Sequence, residues 1–103
     1  MIVVMTTVSS EEEGMKLAKG LVEESIAACV QVLPRMTSVY RWKGELQEDG
    51  EHLLLIKTVA EKFVSVEEYL KANHSYDEPE IVAIPASYVS AGYMAWVTDS
   101  VGL

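Results

Sequence analysis

Apolar and polar positions along the chain follow two periods, and each change of period marks the boundary of a short element. Apolar runs rich in β-branched residues predict strands, and apolar positions three or four residues apart predict helices. The predicted strands cover residues 2–8, 26–33, 37–44, 51–58 and 80–86, and the predicted helices cover residues 11–24, 61–73 and 91–101. With residues 26–33 and 37–44 counted as one strand bent at Pro34, the predicted order is β-α-β-β-α-β with one further helix at the C-terminal end.

Local signals support several of these boundaries. Ser10 followed by Glu13 fits a capping box at the start of the first helix. Asp49-Gly50 is the strongest turn signal in its region, so the turn of a hairpin is predicted at residues 47–50. Pro79 biases its predecessor away from helix and favours a clean entry into the last strand.

The order of elements predicts an α+β fold formed by one domain over residues 1–103. It matches the ferredoxin-like sandwich, in which two helices cover one face of a four-stranded antiparallel sheet. The second and third strands of that plan would form a long hairpin. Within it Tyr40 and Trp42 share one strand face, because side chains alternate along a strand.

Three of the predicted strands are apolar on both faces, at residues 2–5, 53–56 and 81–84. The helices can cover only one face of the sheet, and the short C-terminal helix is too small to cover all of the other. A soluble monomer seldom exposes so large an apolar patch. We therefore expect this face to be buried against other copies of the chain. The alternative is a monomer whose last helix folds across it, and the pattern does not distinguish a dimer from a trimer.

Charge and cysteine content narrow the functional classes. Sixteen acidic residues against eight basic ones give a net charge of −8, which opposes binding to nucleic acid and attracts cations weakly. The same charge can simply serve solubility. One cysteine, Cys29, excludes an internal disulfide and favours a cytoplasmic location. No apolar run reaches the roughly 20 residues of a membrane span.

The densest polar cluster lies at residues 74–81, where a histidine, a tyrosine and three acids follow one another. The thiol of Cys29 and the imidazole of His74 suit copper or zinc better than magnesium. No pair of ligands has a diagnostic spacing, so a metal site would have to be assembled by the fold or between subunits. The alternatives are a buried core thiol for Cys29 and a helix-capping role for His74.

Motifs of nucleophilic catalysis and phosphate binding are absent from the sequence. The carboxylates of Asp77, Glu78 and Glu80 could serve acid–base chemistry, although on a loop they are more typical of caps and ion pairs. No nucleophile–base pair is evident. We therefore do not expect an enzyme.

Five segments in order resemble the CutA family of divalent-cation tolerance proteins, and together they run almost end to end. They are Ala28-Cys29-Val30, the segment Ser38-Val39-Tyr40-Arg41-Trp42-Lys43-Gly44-Glu45, Leu54-Leu55-Ile56-Lys57-Thr58, the segment His74-Ser75-Tyr76-Asp77-Glu78-Pro79-Glu80-Ile81, and Tyr93-Met94-Ala95-Trp96.

The resemblance implies a tight homotrimer whose long hairpins reach onto neighbouring subunits. It also implies binding of copper or another divalent transition metal, with no established enzymatic activity. The family's assembly is similar to the PII signalling trimers, so a small effector in a cleft between subunits is the alternative. Carried onto this sequence, the metal ligands would be Cys29 and His74. The surrounding cleft would be formed by Tyr40, Trp42, Lys57, Tyr76, Glu80 and Trp96.

The chain departs from the family pattern beside the histidine. Ser75 stands where the family has a proline, and Glu78 is an additional acid. We expect Ser75 to loosen the backbone that holds His74, because proline restricts the unfolded and folded chain alike. We expect Glu78 to favour a cation over an anionic effector.

Overall fold

Strands and helices follow the predicted order along the chain, and the computed structural model describes residues 1–103. The elements are β1 (Ile2–Val8), α1 (Glu11–Glu23), β2 (Cys29–Val32), β3 (Met36–Trp42), β4 (Glu45–Thr58), a 3-10 turn (Ala60–Lys62) leading into α2 (Phe63–Asn73), β5 (Val82–Pro85) and α3 (Ala91–Ser100). None of the three helices has both the length and the apolar character that crossing a bilayer requires.

The strands form an antiparallel sheet in the order β2-β4-β1-β5, which is the predicted ferredoxin-like arrangement. The 14-residue strand β4 pairs with different strands along its two halves. Its C-terminal part lies between β1 and β2, while its N-terminal part pairs with β3. The β3–β4 hairpin extends the molecule to 45 Å along its longest axis.

The hairpin turn was predicted in the wrong place. The chain reverses at Lys43-Gly44, where both residues have positive φ, +50° and +82°. Two positive φ values suit the twist of a tight hairpin, and glycine adopts them without strain. Asp49-Gly50 instead lies inside β4, and a Cβ at Gly50 would overlap the guanidinium of Arg35. Gly50 therefore marks a close approach within a strand rather than a turn.

The core lies between the sheet and the two helices α1 and α2. Leu21, Leu54, Ile56, Val66 and Leu70 are fully shielded from solvent there. Each apolar stripe on a helix faces alternate residues of the strands, as the two periods predict. Burial of such side chains stabilises the fold by roughly 1.5–3 kcal/mol each.

The opposite face of the sheet stays partly uncovered in a single chain. Its residues share the odd positions of β1 and β4 and the even positions of β5, and we call them the open face: Val3, Met5, Leu53, Leu55, Val82 and Ile84. Val82 and Ile84 are 45% and 48% exposed. Helix α3 packs through Val97 and Val101 at one end only, against Ala28 and Val59. The alternative of a terminal helix folded across the whole face is therefore wrong.

Candidate functional site

His74 is the residue at which α2 ends. Its backbone is extended, with φ −80° and ψ 143°, and its N–H donates to the carbonyl of Leu70 at 2.8 Å. The chain leaves the helix here and runs past the C-terminal end of β1 and the middle of β4 toward β5. This geometry directs the imidazole inward, where its side chain has no solvent exposure.

Both ring nitrogens of His74 are used inside the chain. Nε2 lies 2.9 Å from the carbonyl oxygen of Thr7, which can only accept, so Nε2 carries the proton. Nδ1 accepts from the backbone N–H of Tyr76 at 3.1 Å. The neutral tautomer protonated at Nε2 satisfies both bonds. The imidazole therefore fastens the segment after α2 to β1 instead of facing an open ligand position.

Ser75 is held, not loosened. Its N–H and its hydroxyl donate to the two oxygens of the Glu13 carboxylate, at 2.8 and 2.9 Å. The expectation that Ser75 frees the backbone beside His74 is wrong, because a proline would lack the N–H that Glu13 binds. Ser10 caps α1 by accepting from the Glu13 N–H at 3.1 Å, while the Glu13 side chain reaches Ser75. Only that half of the predicted capping box forms.

A cleft of about 420 Å³ opens between this segment and the hairpin, and we call it the aromatic–acidic cleft. Three aromatic side chains, four carboxylates and one hydroxyl line it: Tyr40, Trp42, Tyr76, Asp49, Glu51, Glu78, Glu80 and Thr7. Four of the predicted cleft residues, Tyr40, Trp42, Tyr76 and Glu80, thus come together. Its volume is within the roughly 300–1,000 Å³ of small-molecule sites.

Four lining residues are not among the predicted cleft residues: Thr7, Asp49, Glu51 and Glu78. Two of them were missed for different reasons. Asp49 was assigned to the turn, although it belongs to β4 and faces the cleft. Thr7 was treated only as part of a strand, yet a polar pair, Thr6-Thr7, in an otherwise apolar strand is a signal of a polar contact.

The phenols of the cleft are bound by its carboxylates. Tyr40 donates to Asp49, and Tyr76 donates to Glu51 at 2.7 Å. Partial burial, followed by the bond to Glu51, raises the pKa of Tyr76 well above its ordinary value. The hydrogen bond to Asp49 is the main cause that raises the pKa of Tyr40. Both phenols therefore stay neutral through the physiological range.

Cys29 and His74 do not meet in one chain. Cys29 pairs with Lys57, which pairs with Val3, whereas His74 contacts Thr7 at the far end of β1. Four residues of strand separate these levels by about 13 Å. Cys29 lies on the open face, and the His74 imidazole contacts the Thr6 side chain on the helix-covered face. The predicted pair of ligands is thus split between opposite faces.

Lys57 and Trp96 also lie outside the cleft. The Lys57 ammonium is 5.7 Å from the ring centroid of Tyr93, and Trp96 packs beside Tyr93 at 5.6 Å between centroids. Both belong to the end of the open face where α3 sits. Within one chain the strand register puts Lys57 beside Cys29, and Trp96 belongs to α3, so their place in a cleft between subunits stays a prediction.

No three side chains of histidine, cysteine, aspartate or glutamate converge in a way that could hold a metal ion within the chain. The carboxylates of the aromatic–acidic cleft are spread around its wall. A metal ion requires three or more ligands at roughly 2.0–2.6 Å. What one chain offers preformed is a concave, anionic and aromatic surface.

The chain matches a protein family over nearly its whole length. The model of the CutA1 divalent ion tolerance protein family matches residues 2–100. A relative from Thermus thermophilus, the divalent-cation tolerance protein CutA, is 48% identical over 100 residues, which is 97% of each chain. Protein CutA from Homo sapiens is 35% identical over 98 residues, and the chain spans 55% of its length. The chloroplastic protein CutA of Arabidopsis thaliana is 44% identical, and the chain spans 54% of it.

Solved structures agree with the fold. The divalent cation tolerance protein from Thermus thermophilus superposes with a TM-score of 0.95 at 48% identity, covering 99% of this chain and 100% of that one. The periplasmic divalent cation tolerance protein CutA from Archaeoglobus fulgidus gives 0.94 at 34% identity, with 98% and 99% coverage.

Proposed function

The chain belongs to the CutA1 divalent ion tolerance family, and on that premise we propose that it binds divalent transition-metal ions, copper foremost, as a cytoplasmic homotrimer and so contributes to tolerance of these ions. The observation that carries the proposal is the position of Cys29. It is the only thiol of the chain, it is partly exposed, and it lies at the edge of the open face. Thiolate is a preferred ligand of soft and borderline transition metals, Cu(I) and Zn²⁺ among them.

Association of copies is the step that would complete a metal site around Cys29. One chain supplies no preformed group of three ligands, so further ligands have to come from neighbouring copies or from solvent. His74 is the second proposed ligand, in a separate site because it lies on the other face. Coordination at Nδ1 would displace the Tyr76 N–H, so we expect His74 to bind copper more weakly than Cys29.

The trimer is proposed from the uncovered apolar surface. Val82 and Ile84 remain exposed on the open face, and the hairpin exposes Val39 and Leu46, 59% and 67%, on the side away from the cleft. A protruding hairpin with apolar side chains is suited to cover the open face of a neighbour. Burial of these residues in a closed assembly would remove the patch that a monomer leaves in water.

Calorimetric titration of Cu²⁺ tests the proposal. We expect binding by the wild type, a large loss in Cys29→Ser, a smaller loss in His74→Ala, and no change in the control His52→Ala. Circular dichroism of each variant shows whether it is folded. Unchanged copper binding in both Cys29→Ser and His74→Ala would reject the assigned ligands. Separating cytoplasm from envelope in cell extracts tests the location.

A second candidate function is a sensor that binds a small molecule in the aromatic–acidic cleft, and the cleft's three aromatic side chains favour it. Thermal shift with metabolites in the presence of a chelator distinguishes this function from metal binding. Neither candidate assigns a reaction to the chain.

A further inference from the structure

We propose that the aromatic–acidic cleft binds a small organic ammonium ion, and that quaternary ammonium ions of the size of choline fit it best. This gives the second candidate function its class of ligand, and it does not depend on metal binding. The proposal stands on four features of the cleft: its aromatic walls, its charge, the spread of its carboxylates and one available hydroxyl.

The aromatic walls are positioned by contacts at the polar ends of the rings. Tyr40 and Tyr76 both commit their hydroxyls to carboxylates, so their rings are what remains to line the cavity. The Tyr76 ring is also fixed by the His74 imidazole, 4.9 Å away between centroids. Trp42 is 61% exposed, and indole is the best aromatic surface for a cation. Such rings attract an ammonium group through their negative faces.

The charge of the cleft has one sign only. Four carboxylates and no basic side chain line it. Asp49 and Glu51 accept from the tyrosines, whereas Glu78 and Glu80 make no ion pair, since the one ion pair between charged side chains, Lys71–Glu67, lies elsewhere. The nearest ammonium of the hairpin, on Lys43, lies 5.9 Å from the Trp42 ring centroid and does not line the cavity. A cation is therefore favoured and an anionic effector is opposed.

The spread of the carboxylates favours an organic cation over a metal ion. No three of the acids converge on one point, as inner-sphere coordination of a metal would demand. An ammonium ion with alkyl substituents carries its charge over a larger volume and needs only approximate neutralisation at 4–6 Å, roughly the range of a cation–π contact. Distributed carboxylates between aromatic rings meet this requirement.

The hydroxyl of Thr7 is a polar group that a ligand in the cleft can reach. Thr7 is only 8% exposed and lines the cleft, and its carbonyl accepts the bond from His74. Its hydroxyl makes no hydrogen bond to another residue of the chain, and because no buried polar side-chain atom of the chain lacks a partner, this hydroxyl is open to the cleft. A ligand that carries a hydroxyl beside its cationic group would meet both the rings and this side chain.

Calorimetric titration with choline chloride and with its neutral isostere, 3,3-dimethyl-1-butanol, tests the proposal on the full chain. A chelator is present throughout, so a failure of copper binding cannot affect the result. We expect choline to bind at least about tenfold more tightly than the isostere, which is the scale of a desolvated cation–π contact. Trp42→Leu should weaken choline binding about tenfold, and Thr7→Val should weaken it less.

A matched control is offered by the second tryptophan. Trp96 lies outside the cleft, so Trp96→Phe should leave choline binding unchanged. In this variant Trp42 is the only tryptophan, and the Trp42 fluorescence should change when choline binds. Glu80→Gln should lower the affinity and reduce its dependence on salt. Equal affinity for choline and the isostere, no binding in the millimolar range, or full binding by Trp42→Leu would each overturn the proposal.

Discussion

The carboxylate of Glu13 accepts two hydrogen bonds from Ser75, one from the backbone N–H at 2.8 Å and one from the hydroxyl at 2.9 Å. The pair joins the first turn of α1 to the segment that follows α2, across 62 residues of sequence. It fixes the backbone from which Tyr76, Glu78 and Glu80 enter the aromatic–acidic cleft. Serine at position 75 was expected to loosen this segment, but its two hydrogen bonds hold the segment to α1.

We predict that Glu13 and Ser75 are coupled energetically. Ser75→Ala removes one bond to a charged acceptor, and we expect it to lower the free energy of unfolding by about 1 kcal/mol. Glu13→Ala removes both bonds and should cost more. A double-mutant cycle by urea denaturation at one protein concentration measures the coupling, with Glu12→Ala, in the same helical turn, as control. Effects that add within about 0.3 kcal/mol would contradict the contact.

The two histidines are predicted to hold opposite tautomers. His74 donates through Nε2 to Thr7, whereas His52 has Nδ1 2.9 Å from the carbonyl oxygen of Leu33 and must donate through that nitrogen. Long-range ¹H–¹⁵N correlation spectra at slightly alkaline pH should show His74 protonated at Nε2 and His52 at Nδ1. The same tautomer at both residues would contradict the assignment and free a nitrogen of one ring.

Stability is predicted to fall above about pH 10 in a way that depends on Tyr76. Its pKa in the folded state lies above the ordinary value of about 10, chiefly through burial, so the folded chain holds this proton more tightly than the unfolded chain. The resulting stabilisation is complete below about pH 10 and is lost as the pH rises toward the folded-state pKa. Tyr76→Phe should show a smaller loss between pH 9.5 and 11, roughly spanning the ordinary pKa. Denaturation curves for the two proteins with equal pH dependence would show that the phenol is not shielded.

The open face is predicted to be buried in the assembly. Val82→Lys places an ammonium on that face and should dissociate the trimer, because an unpaired buried charge costs several kcal/mol. Val64→Lys is the matched control, since Val64 is 60% exposed and lies in the first turn of α2. Light scattering at equal concentrations gives the masses. A trimeric Val82→Lys variant, or a monomeric wild type, would contradict this assignment of the interface.

Periodicity was sufficient to predict the fold, and local signals failed where distant residues decide the outcome. The stripes of α1 and α2 and the two-faced strands follow directly from which positions are apolar. The hairpin turn was misplaced because Asp-Gly is a strong local signal, whereas in the fold Gly50 lies inside β4 against the guanidinium of Arg35, fifteen residues away in sequence. Nothing near Gly50 in the sequence reveals that approach.

Only part of the candidate site was predictable, because contacts between residues distant in sequence decide the rest. Tyr40, Trp42, Tyr76 and Glu80 converge as expected, since strand alternation and the segment after α2 put them at one end of the sheet. Cys29 and His74 were paired by ligand chemistry and by the family resemblance, and the register of β2 against β4 separates them within one chain. The state of each nitrogen of His74 depends on Thr7 and Tyr76, and the spacing of residues in the sequence carries no information about it.

Anomalous scattering from crystals grown with copper tests the metal-binding claim most directly, because it locates the ion. We predict a copper peak within bonding distance of the Cys29 Sγ, at a contact between copies of the chain, and no such peak in crystals of Cys29→Ser. A wild-type crystal with no ordered copper, or with copper only at residues remote from Cys29, would contradict it.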